Sequence, residues 1–413
     1  MQQERVSTSV ILNISEGKCL SFLIQWAFEN QYAVVVWRLP FAPAHHVVLS
    51  RRETLLPADA SLEELPKGFV FAPFDSSRDR LFLKADLAFS FSNGSIVPPQ
   101  DQLESDSATW LASQRIVEDE QDQENELQRP SYYTAPEHPS STSREHYLHV
   151  VERSISEIAK GTFEKVVPSR AEVVPLSQSF DVVQAFYSLC TRNPNALVSF
   201  VSSPTTGSWL GATPEILVTV ENRRIFKTVA LAGTQPYRGQ LLKDVAWTQK
   251  DIEEQALVER YIISCFKRIR LREYDEQGPR TIVAGHLLHL KSEFKVDMQE
   301  TNFPQLGTVM LSLLHPTAAV CGTPLQAARH FLSAHEGYDR QYYSGYLGPV
   351  NFEDGIHIFV NLRCAQLMNR EGVMYAGAGI TIDSVPNEEL EETDIKLNTL
   401  RNILTASSPG QQP

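Results

Sequence analysis

The stretch that most limits what this chain can fold into is Tyr375-Ala-Gly-Ala-Gly-Ile-Thr-Ile-Asp-Ser-Val-Pro-Asn-Glu-Glu-Leu-Glu-Glu-Thr-Asp-Ile-Lys396. Its small residues close a strand expected over 373–382, and Ser384-x-Pro386 is a helix start signal. In the helix that follows, Glu389, Glu392 and Lys396 stand at i, i+3 and i+7, on one face. Carboxylates three apart repel. Either the face is solvated, with Lys396 relieving Glu392, or it is a hard-cation site facing a backbone pocket for an anion. Spacing alone leaves both open.

The chain has 413 residues, with 37 basic and 50 acidic side chains and a net charge of −13. That length allows two or three average domains or one large α/β unit. The acidic balance argues against nucleic acid or an anionic membrane as partner. A small anionic substrate stays open if local cations or a metal offset the field. The five cysteines are scattered without a C-x-x-C pair, which fits reduced thiols in the cytoplasm rather than a disulfide frame or a zinc site. No apolar run approaches the roughly 18 residues of a spanning helix, and the N-terminus has no leader pattern.

Residues 1–100 read as an α/β portion of the same fold, with helical spacing over 19–29 and strand-like runs at 32–39, 68–74 and 81–89. Residues 101–142 are acidic, then rich in proline and serine, and read as a mobile connection holding at most a short helix. The region 143–402 opens with the capping pattern Thr142-x-x-Glu145, a helical stripe and a stop at Gly161. Strands are expected over 163–174, 208–220, 225–232 and 358–367, and a long helix from Thr248, with Asp251 at N3, to about Leu271. Residues 403–413 read as a flexible tail.

Several residues stand out chemically. Lys165 lies among valines in a strand; if desolvated it is a base, and otherwise an edge lysine. Glu215 follows Gly-Ala-Thr-Pro and enters an apolar run, the setting of a raised pKa and a general acid, or of an arginine partner. Gly233 and Thr234 end a strand with groups that suit a carboxylate. Asp251 and Glu254 open the long helix, where acids complement the dipole or ligate Mg²⁺. His315 sits between prolines in Leu314-His-Pro-Thr-Ala-Ala-Val-Cys-Gly-Thr-Pro324, and Arg363 lies inside a strand-like run, its fork suited to a carboxylate.

In this order, the stretches KVVPSR, LGATPE, ALAGT, KDIEE, LHPTAAVCGTP, VNLRCA, YAGAGI and the closing glutamate helix resemble the chorismate-utilising enzymes over roughly residues 140–402. The resemblance implies a single large α/β (α+β) domain of two stacked, mainly antiparallel sheets flanked by helices, with chorismate and Mg²⁺ in a central cleft. It implies Glu254, Glu389 and Glu392 as the metal carboxylates, and Gly233, Thr234, His315, Arg363, Gly377, Gly379 and Lys396 as substrate-binding groups. Lys165 would be the base and Glu215 the acid. Lysine at 165 and Ala232 in place of the lysine of one ammonia-using branch point to the water-using isochorismate synthases, monomeric and without a glutaminase partner. Tyr375 and Gln366 stand where salicylate synthases tend to carry arginine and tyrosine, which favours stopping at isochorismate. Gln255, Leu390 and Pro168 depart from the family's usual residues.

Overall fold

A computed structural model describes residues 15–57, 59–97, 100–114, 131–135, 138–284, 287–352 and 355–405. The strands are β1 (Ala33–Arg38), β2 (His45–Ser50), β3 (Glu53–Leu56), β4 (Gly68–Ala72), β5 (Arg80–Lys84), β6 (Leu87–Ser92), β7 (Ser95–Ile96), β8 (Lys165–Val166), β9 (Ser169–Pro175), β10 (Leu197–Ser203), β11 (Gly207–Thr213), β12 (Ile216–Glu221), β13 (Ile225–Pro236), β14 (Asp275–Ala284), β15 (Leu287–Asp297), β16 (Gly322–Thr323), β17 (Tyr346–Phe352), β18 (Gly355–Val360), β19 (Cys364–Leu367) and β20 (Glu371–Gly377). The helices are α1 (Glu16–Glu29), α2 (Gln102–Ser113), α3 (Arg144–Ala159), α4 (Val182–Arg192), α5 (Gln249–Arg268), α6 (Leu306–Leu314), α7 (Leu325–His335) and α8 (Pro386–Leu404).

Two nine-stranded sheets form, in the orders β7-β6-β2-β1-β10-β11-β19-β20-β9 and β14-β15-β13-β12-β18-β17-β4-β5-β3, with β16-β8 as a small third pairing. The pairings are antiparallel. Trp37, Phe69, Phe71, Trp209, Phe359 and Tyr375 fill the space between the sheets. The outer face of the first sheet packs on α1, α4 and α8, and that of the second on α5 and α6. A strand buried on both faces reads as a continuous apolar run, and β1 shows why: Val34 and Val36 face the helices while Val35 and Trp37 face the other sheet. The expected two-sheet architecture is therefore present, and residues before 100 supply the outer strands of both sheets.

Four expected strands are divided, three of them with a change between the two large sheets. The run 81–89 breaks at Ala85-Asp86, with β5 in the second sheet and β6 in the first. The run 208–220 breaks at Pro214-Glu215, and the run 358–367 at residues 361–363, each changing sheet. An apolar run shows burial but not which sheet buries it, and Pro214 has no N–H for a ladder. The run 163–174 is likewise split by Pro168 into β8 and β9.

Within the connection 101–142, the described residues 102–113 form helix α2. Asp101 caps α2, accepting from Glu104 N at 2.9 Å, and Lys67 pairs with Asp101 and Glu104 at 2.6 and 2.9 Å. The buried Ser107 hydroxyl accepts from Ala88 N at 2.9 Å, docking α2 on β6. The acidic run at 118–126 and the tail beyond 405 lie outside the described residues. Ile403 and Leu404, expected in the tail, are buried in α8. The cap of α3 is Ser143, one residue later than expected; the Thr142 hydroxyl instead accepts from Ala171 N at 3.1 Å. The capping box at Thr248 and Asp251 is formed as read. No helix among the described residues is long and apolar enough to cross a membrane.

Candidate active site

The functional side chains converge where the chain passes between sheets. Glu215 stands at the β11–β12 crossing and Arg363 at the β18–β19 crossing. At Asn361 the turn is fixed by its side-chain N–H donating to Tyr342 O at 2.9 Å. Arg363 takes φ 48°, an unusual conformation for a non-glycine residue that costs of order 1–3 kcal/mol. A cleft encloses about 70 Å³ between Val167, Glu215, Leu231–Thr234, Glu254, His289, Val320, Arg363, Tyr375–Gly377, Gly379 and Lys396.

Glu215 has no side-chain hydrogen bond among the described residues. Burial raises its carboxyl to about 7, against the opposing charges of Lys165, Lys396 and Arg363. It is therefore about half protonated near neutral pH. The Arg363 guanidinium likewise makes no hydrogen bond or ion pair among the described residues. Burial holds it below its ordinary value against the pull of Glu392, Tyr343 and Glu215. A part-exposed fork of donors without a side-chain partner among the described residues is a ready receptor for a ligand carboxylate.

Lys165 is fully buried and donates to Glu254 Oε1 at 2.8 Å. It stands behind Glu254 rather than on the cleft surface. Burial works to raise Glu254, but the charge and hydrogen bond of Lys165, then Lys396 and Lys250, bring it below its ordinary value. Gly379 makes this closure possible, since a Cβ there would lie 2.5 Å from Glu254 Oε1 and 3.0 Å from Lys165 Cε. Lys396 donates to Glu392 Oε1 at 2.7 Å and to Gly377 O at 2.9 Å, stapling α8 to the end of β20. Glu389 is 1% exposed and pairs through Oε1 with Lys250, while its buried Oε2 has no partner. Burial raises Glu389 despite Lys250. The face read from the sequence thus points inward. Glu389 and Glu392 lie behind the cleft lining, each beside a lysine, and among the described residues no three acids or histidines are grouped closely enough to hold a metal as they stand.

Gly233 lies at a register shift in the β13–β15 ladder, with φ +68°. Its carbonyl, freed from the ladder, accepts from His289 Nδ1 at 2.7 Å. That bond sets the tautomer and leaves Nε2 as a bare acceptor. Nε2 is buried and unpartnered, and burial, reinforced by Arg363, lowers the imidazole to about 3, so it is neutral. His289 was not singled out from the sequence. Its signal was a histidine between leucines in β15, a strand that the sequence reading did not place.

His315 is not part of the cleft. It caps the end of α6, its Nε2 lies 3.2 Å from Pro73 O, and its ring meets Tyr346 edge-on. Burial lowers it to about 4. The expectation that it binds substrate is corrected: the loop containing it does reach the cleft, but through Ala319 and Val320. Gln366 is fully buried, and its Oε1 accepts from the Tyr375 hydroxyl at 3.3 Å, holding the phenol that lines the cleft. Gln255 bonds Ala230 O and the Ser292 hydroxyl, both at 3.2 Å, anchoring α5 to the sheet.

The family model for chorismate-binding enzymes matches residues 84–405. The chain belongs to the chorismate-binding enzyme family. Isochorismate synthase DhbC of Bacillus subtilis is 30% identical over 269 residues, covering 62% of this chain and 67% of that protein. The vibriobactin-specific isochorismate synthase of Vibrio cholerae is 29% identical over 298 residues, covering 68% and 74%. Two solved structures share the fold: the 2,3-dihydroxybenzoate-specific isochorismate synthase DhbC from Bacillus anthracis, with TM-score 0.69, 20% identity and coverage of 93% of this chain and 99% of that one, and the menaquinone-specific isochorismate synthase MenF of Escherichia coli, with TM-score 0.70, 22% identity and coverage of 92% and 91%. Membership of the family supports chorismate as the ligand class of the cleft.

Proposed function

We propose that the chain is an isochorismate synthase, converting chorismate to isochorismate by adding water at C2 and releasing the C4 hydroxyl. The observation that carries this is Glu215: a carboxyl held near half-protonation at about 7 in a wall that also presents an unpaired Arg363. A general acid works best with a pKa near the operating pH. Arg363 takes one substrate carboxylate, and the neutral His289 Nε2 is free to accept a hydrogen bond from a substrate hydroxyl. Glu215 gives its proton to the departing C4 hydroxyl, which leaves as water. Lys165 takes a proton from the attacking water. For that its amine must part from Glu254 and lose its own proton.

Mg²⁺ is part of the proposal. Glu254, Glu389 and Glu392 offer hard oxygen ligands, and the orphaned Glu389 Oε2 fits a cation. When bound, the ion would orient the substrate's ring carboxylate and offset its repulsion from the acids. Lys165, Lys250 and Lys396 pair with Glu254, Glu389 and Glu392 respectively and offset their charge.

The test is product analysis on chorismate with Mg²⁺ or with chelator. Isochorismate formed only with Mg²⁺ is expected. Salicylate fluorescence would replace this reading with salicylate synthase. Product requiring ammonia would overturn the water-using assignment.

A further inference from the structure

A second cavity, of about 200 Å³, lies on the far side of the second sheet, away from the cleft. Its walls are the Ala72–Arg80 segment, the last turn of α6 and Tyr346 of β17. Arg80 is 1% exposed and lines it. A guanidinium has five N–H donors and keeps its charge. Here Nη1 reaches the Tyr346 hydroxyl at a long 3.4 Å, Nη2 bonds Ala60 O, and the buried Nε has no partner. Among the described residues Arg80 has no carboxylate within ion-pair distance. Three acids are engaged elsewhere: Asp75 holds Arg329 and Ser77, Asp339 holds Arg78 at 2.7 Å, and Glu63 holds Thr308, while Asp79, next in sequence to Arg80, is exposed. No acid lines the cavity, whose polar lining is Arg78, Arg80, His315, the hydroxyls of Ser76 and Ser312, and Tyr346.

A buried charge without a counter-ion is costly, because desolvation is not returned by any partner. The carbonyl end of α6 offsets part of it, but a carbonyl cannot supply a full charge. We propose that this cavity is a second ligand site, taking a small oxyanion, carboxylate or phosphate, on Arg80, and that its occupancy is felt in the cleft through residues 315–320. The connection is short. His315 lines the second cavity, while Ala319 and Val320, a few residues on, line the cleft. Between them Thr317 O accepts from Val320 N at 3.1 Å and Cys321 N at 2.9 Å, so the segment is one hydrogen-bonded turn. Arg340 Nη1 holds Val320 O at 2.8 Å from behind. An anion that draws Arg80 and the end of α6 together tightens this turn.

The binding experiment does not depend on the reaction assigned to the cleft. Isothermal titration of the purified full chain uses inorganic phosphate in one arm and malonate in the other. Saturable binding of at least one is expected, and which one binds identifies the oxyanion. Arg80→Met should weaken it at least tenfold, and Ser312→Trp, which fills the cavity from an exposed position on α6, should do the same if Arg80→Met fails to fold. Arg363→Ala should leave it within twofold. Hydrogen exchange of the peptide spanning 315–321 should slow on anion binding in the wild type and not in Ser312→Trp. No saturable binding of either anion overturns the site, as does binding that survives Ser312→Trp or is lost with Arg363→Ala. Binding with unchanged exchange at 315–321 overturns the coupling.

Discussion

Glu336 and Arg340, just past the end of α7, are 5% and 3% exposed, and their polar atoms are engaged. Glu336 accepts from Ser169 N and Oγ at 2.7 and 2.8 Å and from Arg340 Nε at 2.8 Å. Arg340 also donates to Val320 O at 2.8 Å and Val167 O at 2.6 Å, bracing two walls of the cleft. The cleft in front is less buried and built differently: Glu215 and Arg363 are part-exposed. Glu215 and Arg363 have no side-chain partner among the described residues, and Glu389 Oε2 and His289 Nε2 are orphaned. One cluster satisfies its buried charges and fixes a shape. The other leaves two buried acceptors, Glu389 Oε2 and His289 Nε2, without a partner among the described residues, which is costly unless a ligand completes them, and turns two part-exposed charged groups toward the cleft.

The largest expected effect breaks the cleft and spares the brace. Lys165→Ala and Glu215→Gln should each lower chorismate turnover by about 10²–10⁴-fold while unfolding remains cooperative; near-wild-type turnover in either removes that residue from the mechanism. Glu336→Gln should show the opposite pattern. It leaves Arg340 buried without its counter-charge, and a loss of about 3–5 kcal/mol in denaturant unfolding is expected. Unchanged stability there would mean that the saturated cluster is no more structural than the open one.

Glu215 also couples stability to pH. Its folded value of about 7 lies above the ordinary glutamate value of 4.5, so the native state binds more protons than the unfolded state between these values. Stability should therefore fall as pH rises through this window, by roughly 3 kcal/mol. Glu215→Gln should match wild type near pH 4.5 and exceed it at pH 8; a wild-type curve with the same slope as the variant would show that the carboxyl titrates normally. The smallest effect sits at the mouth of α5, which carries Glu254. Thr248→Ala removes the capping box and should cost about 1 kcal/mol in thermal unfolding, with the Lys165–Glu254 contact intact.

Much of the site was legible because its residues break local patterns. Glu215 and Arg363 are charges inside apolar runs, and Gly379 lies in a run of small residues where two charged groups close in. His289 was not legible, because what makes it distinctive is a carbonyl freed at Gly233, 56 positions away. His315 misled because its proline-flanked loop does touch the cleft, but through other residues. The sheet changes at 86, 214 and 361–363 escaped for one physical reason: alternation reports that both faces of a strand are covered and not which neighbour covers them. The N-terminal third lacks motifs because its contribution is strands, and a strand's partner is fixed by packing.

The order of strands in the first sheet has a consequence for how the protein is made. β20 lies between β19 and β9, and β9 has no other strand neighbour in that sheet. A nascent chain that has released β9 and β11 carries two unpaired edges until β19 and β20 leave the ribosome, and exposed edges invite pairing with other chains. Gly377, Gly379 and Lys396 arrive in the same late segment. Closing the sheet and assembling the reactive groups are therefore one event late in translation, so a ribosome that stalls before β20 would release a sticky intermediate with no catalytic capacity.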